Sequence, residues 1–417
     1  MARRVVRWAS FLALVLLFGW AIPARAQGVI TIESDVNVVY GEQLTFRAFV
    51  TTGQAIEQAI LIVNVGRRDT QRWTAELIAT DSGVEARVVL SPTQLDMPPT
   101  APIRFTWEVV TVGGASTGSS EVFVGYEDGS LDWQEGTSNG VTVVVAANLS
   151  GQMIQTTVAQ SLAVIQDATG EPAEGDLRLY VYPDLGSLER ALALHGREAG
   201  GWYPGYVDPT VETVLVAASA NLSQFESDLG YQLTRYTLAS HAGTAFPTWY
   251  REGIALWLFA ASDPTLNAQV GATSWEAWAS LEELCAAEVD AMAPADRALV
   301  AGQSREVIEY IDEQYGRSQL RALYSAYAAG LTCNAGVELA LGIPLAQLDG
   351  QWRSSPGASV LAATTSPNAT GWLMMWAISL LLAGLFIAPR PAQGHQRPDV
   401  DFLIGPATGK HPTIDQT

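Results

Sequence analysis

The chain has 417 residues, with 23 Lys and Arg against 43 Asp and Glu, a formal net charge of −20. That balance argues against nucleic acid or an anionic membrane surface as partner, since both are held through basic patches. Lys410 is the single lysine, so nearly all the positive charge is arginine, which reads as a genome-wide composition bias.

In chain order, Arg3, Arg4 and Arg7 precede an apolar run from Trp8 to Ala21, and Ala24-Arg25-Ala26 follows. A charged start, a short apolar stretch and an Ala-x-Ala site predict a signal peptide over residues 1–26, with Gln27 as the mature start. Residues 27–126 then alternate apolar and polar positions. Leu44, Phe46, Ala48 and Val50 share one face, as do Ile103, Phe105, Trp107 and Val109. Turn signals at Gly53, Asp81-Ser82-Gly83, Pro98-Pro99 and Gly113-Gly114 separate such runs, and the pattern predicts an antiparallel β-sandwich of immunoglobulin-like size.

After Tyr126-Glu127-Asp128 the pattern changes. Strands are predicted over residues 141–147, 177–182 and 211–217, and helices over 152–167 and 187–194. From there to Trp352 the chain reads as almost entirely helical, so residues 127–353 form an α+β domain with a helical C-terminal lobe. Residues 354–370 are rich in Ser, Thr, Ala and Pro and read as a linker. The uncharged run 371–388 suits one transmembrane helix. Arg390, Arg397 and Lys410 follow it, which makes residues 389–417 a cytoplasmic tail and places the bulk of the chain outside a cell membrane, as a single-pass protein. Cys285 and Cys333 would then both be extracytoplasmic, where an even count favours a disulfide.

The stretch with the most chemistry in it is Tyr231-Gln232-Leu233-Thr234-Arg235, followed by Pro247-Thr248-Trp249-Tyr250-Arg251-Glu252-Gly253-Ile254-Ala255. It resembles the peptidase MA-like (gluzincin) family. In that family the first block is His-Glu-x-x-His, whose two imidazoles share a helix face, bind zinc and flank the general base. The second block, Pro-x-Trp-x-x-Glu-Gly-x-Ala, carries the third ligand. Here Tyr231, Gln232 and Arg235 replace the two ligands and the base, and Glu252 alone remains. Arg235 has no lone pair to offer a metal. Gln232 has no proton to exchange near neutrality. The resemblance extends through Tyr126 to Trp133, which looks like the family's junction between sandwich and peptidase domain. Arg178 to Tyr182 resembles the strand before its active-site helix pair. The stretch from Gln303 to Trp352 matches its C-terminal lobe, and Cys285 and Cys333 stand where close relatives often carry a pair.

The resemblance implies a degenerate zinc peptidase, and Tyr231, Gln232, Arg235 and Glu252 are its altered site. The expectation is a catalytically inactive pseudopeptidase, with no metal or other cofactor, that binds a peptide or protein in the old cleft. The alternative is an active metallopeptidase that holds zinc in an atypical site, with His241 and Glu252 as candidate ligands. A buried Glu252 without zinc needs another cation. Arg235 is expected to supply it, with Tyr231 or Gln232 donating a further hydrogen bond. Gly253 is expected to let its helix approach the motif helix closely.

Overall fold

A computed structural model of the chain describes residues 30–172, 176–200, 203–242, 246–260, 278–289 and 292–355. The predicted signal peptide, membrane span and tail, and all of the linker beyond Ser355, lie outside these residues. Among the described residues no helix is long and apolar enough to cross a membrane.

The first nine strands are β1 (Thr31–Val39), β2 (Gln43–Thr51), β3 (Ile56–Val65), β4 (Gln71–Thr74), β5 (Glu76–Thr80), β6 (Gly83–Leu90), β7 (Ile103–Thr111), β8 (Ser116–Gly118) and β9 (Val122–Val124). They form two antiparallel sheets, one in the order β1-β2-β6-β5 and the other β4-β3-β7-β8, with β9 also on β7. The alternating positions of β2 and β7 point inward as expected. Leu44, Phe46, Ala48, Ile103, Trp107 and Val109 are all fully buried. Phe46 and Phe105 meet edge to face across the core, with ring centres 5.0 Å apart. Burial of each such side chain stabilises the sandwich by roughly 1.5–3 kcal/mol.

A third sheet follows, made of β10 (Trp133–Ser138), β11 (Val141–Ala146), β12 (Arg178–Tyr182), β13 (Gly205–Asp208) and β14 (Thr213–Ala217). Its order is β10-β11-β12-β14-β13, parallel through β11, β12 and β14 and antiparallel at both edges. The central strands match the expected ones within two residues, but the two edge strands were not foreseen. Asn139-Gly140 joins β10 to β11 with both residues at positive φ, the two-residue turn whose twist suits a hairpin. Helices α1 (Gly151–Thr169) and α2 (Leu185–Leu194) connect the parallel strands. The helical lobe comprises α3 (Leu222–Ala242), α4 (Thr248–Phe259), α5 (Leu281–Cys285), α6 (Pro294–Tyr315), α7 (Arg317–Ala328), α8 (Cys333–Leu341) and α9 (Leu345–Arg353). The strand preceding the helix pair α3–α4 is β14. The resemblance assigned that place to residues 178–182, and it is corrected by one βαβ step, because α2 and the β13–β14 hairpin intervene.

The sandwich and the third sheet fall within one compact unit. The start of the strand expected at residue 211 joins the two. Val211 leaves the sheet and inserts into the sandwich core, where it is 1% exposed. Around it, the Arg67 amide donates to the Thr210 carbonyl at 2.7 Å, and Arg68 bonds both Asp96 and Asp208. His195, at the end of α2, closes the same seam. Its Nδ1 lies 2.6 Å from the Ala191 carbonyl, which can only accept, so the proton sits on Nδ1. Nε2 therefore accepts from the Tyr126 hydroxyl at 2.7 Å, and that hydroxyl in turn accepts from the Gly41 amide.

Burial pushes the His195 pKa below its ordinary value of 6.5, against the raising effects of the Ala191 carbonyl and Asp128 and alongside the lowering effect of Arg197. A folded pKa below the unfolded one means the unfolded chain binds the proton first. The stabilisation is therefore complete above about pH 6.5 and is lost as pH falls through the window beneath it. Urea midpoints are expected to drop between pH 7.5 and 5, and His195→Gln to flatten that slope. A wild-type midpoint as pH-dependent as that of the variant would contradict this account of the seam.

Candidate functional site

Helix α3 has two apolar faces, and that determines where it lies. Leu229, Leu233 and Tyr236 follow helical spacing on one side and pack against the sheet, in a core with Val158, Val214 and Val216. Tyr231 and Leu238, two turns apart, belong to the core of the helical lobe instead. The hydroxyls of Thr234 and Thr237 return to the carbonyls of Gly230 and Leu233, so both threonines are buried with their polar atoms satisfied. Helix α4 starts directly after Pro247 and is buried along most of its length.

Two glycines set the spacing of this lobe, and one works differently from the expectation. A Cβ on Gly253 would lie 2.3 Å from the Ser304 carbonyl oxygen, so the close approach is to α6 and not to the motif helix. The α3–α4 contact uses Gly230, where a Cβ would fall 2.2 Å from the Phe259 ring.

Tyr231, Gln232 and Glu252 are each 0% exposed. The Tyr231 hydroxyl donates to Glu252 Oε2. Arg235 Nε lies 3.9 Å from Glu252 Oε1, at the outer limit of an ion pair, with its guanidinium carbon 5.8 Å from the Tyr231 ring centre. The shorter contact comes from Arg251, whose Nε donates to the same Oε1 at 3.0 Å. Arg251 was not foreseen as a partner. Adjacent helical residues do not normally face one another, although Tyr-Arg-Glu-Gly does place a cation beside the only surviving ligand position. Gln232 is not among the donors to Glu252. Its Nε2 donates to the Tyr203 carbonyl at 2.6 Å, and its Oε1 is buried with no hydrogen-bond partner. Gly205, on β13, makes room for it, since a Cβ there would lie 2.6 Å from Gln232 Nε2. The Tyr203 ring meets Tyr231 edge to face at 5.5 Å. The motif helix is thus covered by the segment that leads into β13.

This arrangement does not fit zinc. A divalent cation would face two guanidiniums, which have no lone pairs, and a phenol whose hydroxyl proton already goes to the Glu252 carboxylate. Glu252 finds its counter-charge in arginine. The side chain of His241 lies outside the described residues.

The Cys285–Cys333 disulfide is formed, with Cα atoms 6.0 Å apart. It links the last residue of α5 to the first of α8. Trp249 Nε1 donates to Cys333 Sγ at 3.2 Å, which ties the disulfide to α4 three residues before Glu252. The Trp249 ring packs edge to face on Tyr250 and Tyr327, so the retained tryptophan anchors an aromatic core.

The family model of the peptidase MA superfamily matches residues 157–357. No curated protein matches the chain. Among solved structures, a bromine derivative of BhCBM56 is 6% identical over 24% of this chain and 99% of its own, with a TM-score of 0.18. The purple acid phosphatase PPD1 of yellow lupin (Lupinus luteus) seeds is 12% identical over 45% of this chain and 34% of its own, at 0.20. Astrotactin-2, described as a vertebrate-specific, perforin-like membrane protein, is 10% identical over 71% of this chain and 38% of its own, also at 0.20. Scores that low carry no argument about this chain.

Proposed function

Residues 157–357 belong to the peptidase MA superfamily, and from that premise we propose that the chain is a catalytically inactive, membrane-anchored pseudopeptidase that binds a peptide or protein partner. One observation carries the reading. The carboxylate at the third-ligand position is neutralised by Arg251 and Arg235 and hydrogen-bonded by Tyr231, so the place of the metal is taken by side chains. The arginines stay protonated near neutrality and Gln232 has no proton to exchange, so neither can activate water, and the Glu252 carboxylate is fully buried and engaged by Tyr231 and Arg251.

Because Tyr231, Gln232 and Glu252 are fully buried, a partner would meet the rim of the old cleft and not its floor. β13 ends the sheet beside the motif helix, and an extended peptide can add to such an edge through main-chain hydrogen bonds. The strand order β1-β2-β6-β5 against β4-β3-β7-β8 supports an immunoglobulin-like reading of the N-terminal sheets. The charged start, short apolar run and Ala-x-Ala site expected to form a signal peptide over residues 1–26, with the apolar run at 371–388, support a single-pass protein with its folded part outside the membrane.

The purified protein is expected to contain no stoichiometric zinc and to leave an unstructured protein substrate uncut, with or without chelator. One equivalent of bound zinc, together with hydrolysis abolished by chelation, would overturn inactivity. It would support an atypical metal site in its place.

A further inference from the structure

The disulfide is not enclosed in the core. It forms part of the wall of a surface cavity of about 520 Å³, together with Ser280, Glu282, Thr332, Asn334 and Asp349. Both cysteines are partly exposed. Asp349 is already engaged, with Arg353 Nε 3.1 Å from its carboxylate and the Leu281 amide donating to it, while Glu282 is exposed.

The two sulfurs differ in what surrounds them. Cys333 is the first residue of α8, where unpaired amides favour negative charge, and its Sγ accepts the Trp249 indole N–H at 3.2 Å. Cys285 is the last residue of α5, at the carbonyl end of a helix. Negative charge released from the bond is therefore better held on Cys333. A disulfide exchanges by displacement, and the sulfur that leaves is the one that best carries the electron pair.

We propose that Cys285–Cys333 is a thiol–disulfide exchange site, entered through this cavity by a dithiol that attacks Cys285 Sγ. The incoming thiolate forms a bond to Cys285 as the Cys285–Cys333 bond breaks, and the electron pair leaves on Cys333, facing the Trp249 N–H. The second thiol of the dithiol, once deprotonated, attacks its own bonded sulfur and releases Cys285, which takes up a proton. The dithiol is oxidised by two electrons to a disulfide, and the protein is reduced by two. Reduction frees α5, which carries the buried Leu281 and Leu284, from its covalent tie to α8. The same event removes the sulfur bridge that Trp249 contacts, one turn from Glu252.

The position of attack is testable on the full chain. Oxidised protein treated briefly with glutathione at neutral pH without denaturant, then acid-quenched and peptide-mapped, is expected to carry glutathione on Cys285 and a free thiol on Cys333. An adduct on Cys333, or none until denaturant is added, would overturn the proposal. Trp249→Phe is expected to slow reduction by dithiothreitol several-fold, because the leaving thiolate loses its donor. Trp249 is a core residue, so a measurement on the wild type stands beside it: limiting iodoacetamide at pH 7 is expected to label Cys333 of the reduced, folded chain ahead of Cys285. Equal or reversed labelling would sink the assignment.

Discussion

Glu252→Ala is expected to destabilise the fold by about 3–5 kcal/mol, the usual cost of removing one partner from a buried ion pair. The carboxylate is fully buried and holds Arg251 Nε at 3.0 Å, Arg235 Nε at 3.9 Å and the Tyr231 hydroxyl. Its loss leaves two guanidiniums facing each other with the central negative charge gone. A lost side chain alone would also destabilise, so the distinguishing experiment removes charge at constant size. Glu252→Gln is expected to cost nearly as much, because a neutral amide leaves the charges of Arg235 and Arg251 without their counter-charge. The triple variant Glu252→Gln, Arg235→Gln, Arg251→Gln is expected to recover a large part of that loss, since the like-charge repulsion disappears. Urea unfolding measures all three. A Glu252→Gln variant within about 1 kcal/mol of wild type, the range of an exposed pair, would mean that the cluster is not a buried counter-charge site. Arg235→His by itself is not expected to create an enzyme, because Arg251 and Tyr231 would still occupy the carboxylate.

The second large effect is expected at Val211→Asp. Val211 comes from the hairpin between β13 and β14 yet is buried in the core of the N-terminal sandwich. A carboxylate there meets apolar side chains on every side, and an unpaired buried charge ranks among the costliest single changes, about 3–5 kcal/mol or more. Loss should appear in both parts of the molecule at once. Spectroscopic probes in the sandwich and in the helical lobe are expected to unfold at one shared midpoint, lowered in the variant. Two separate midpoints in the wild type would show that the sandwich is an independent module. On the same grounds, removing residues 27–126 exposes Val211 and strips Arg68 from Asp208, whose side chain is 7% exposed. Burial raises the Asp208 pKa, but the bonds from Thr210 and Tyr206 and the charge of Arg68 outweigh it and hold it below 3.8. The sandwich therefore serves as a wall of the peptidase-like domain, fixing the far end of its edge strand.

Much of this was legible in the residues alone, and for physical reasons. Period-two burial in β2 and β7 is a local property, so Leu44 to Val50 and Ile103 to Val109 announced the sandwich without any knowledge of what they would face. Chemistry lost from a motif is also local: a guanidinium offers no lone pair in any fold, so Arg235 alone spoke against a zinc ligand. The disulfide followed from two cysteines and the pairing implied by the family. The β10–β11 hairpin could have been read from Asn139-Gly140, the strongest short-range hairpin signal, but the flanking residues of β10 are polar and obscured it.

What tertiary structure decided was the choice among partners. Arg235 and Arg251 are both cations within reach of Glu252, and the packing of α4 on α3 holds Arg235 at 3.9 Å while the adjacent Arg251 lies at 3.0 Å. Gly253 permits close approach in any setting, but the element that approaches is α6 and not α3. Gln232 was turned away from Glu252 by the carbonyl of Tyr203, 29 residues upstream. Val211 reads as the start of a strand because its neighbours are β-branched, and it joins the sandwich core only where the two parts pack together. Periodicity and residue chemistry act over a few residues and are written into the chain. The pairing of buried charges and the docking of one core into another depend on which surfaces meet, and that is settled only by packing in three dimensions.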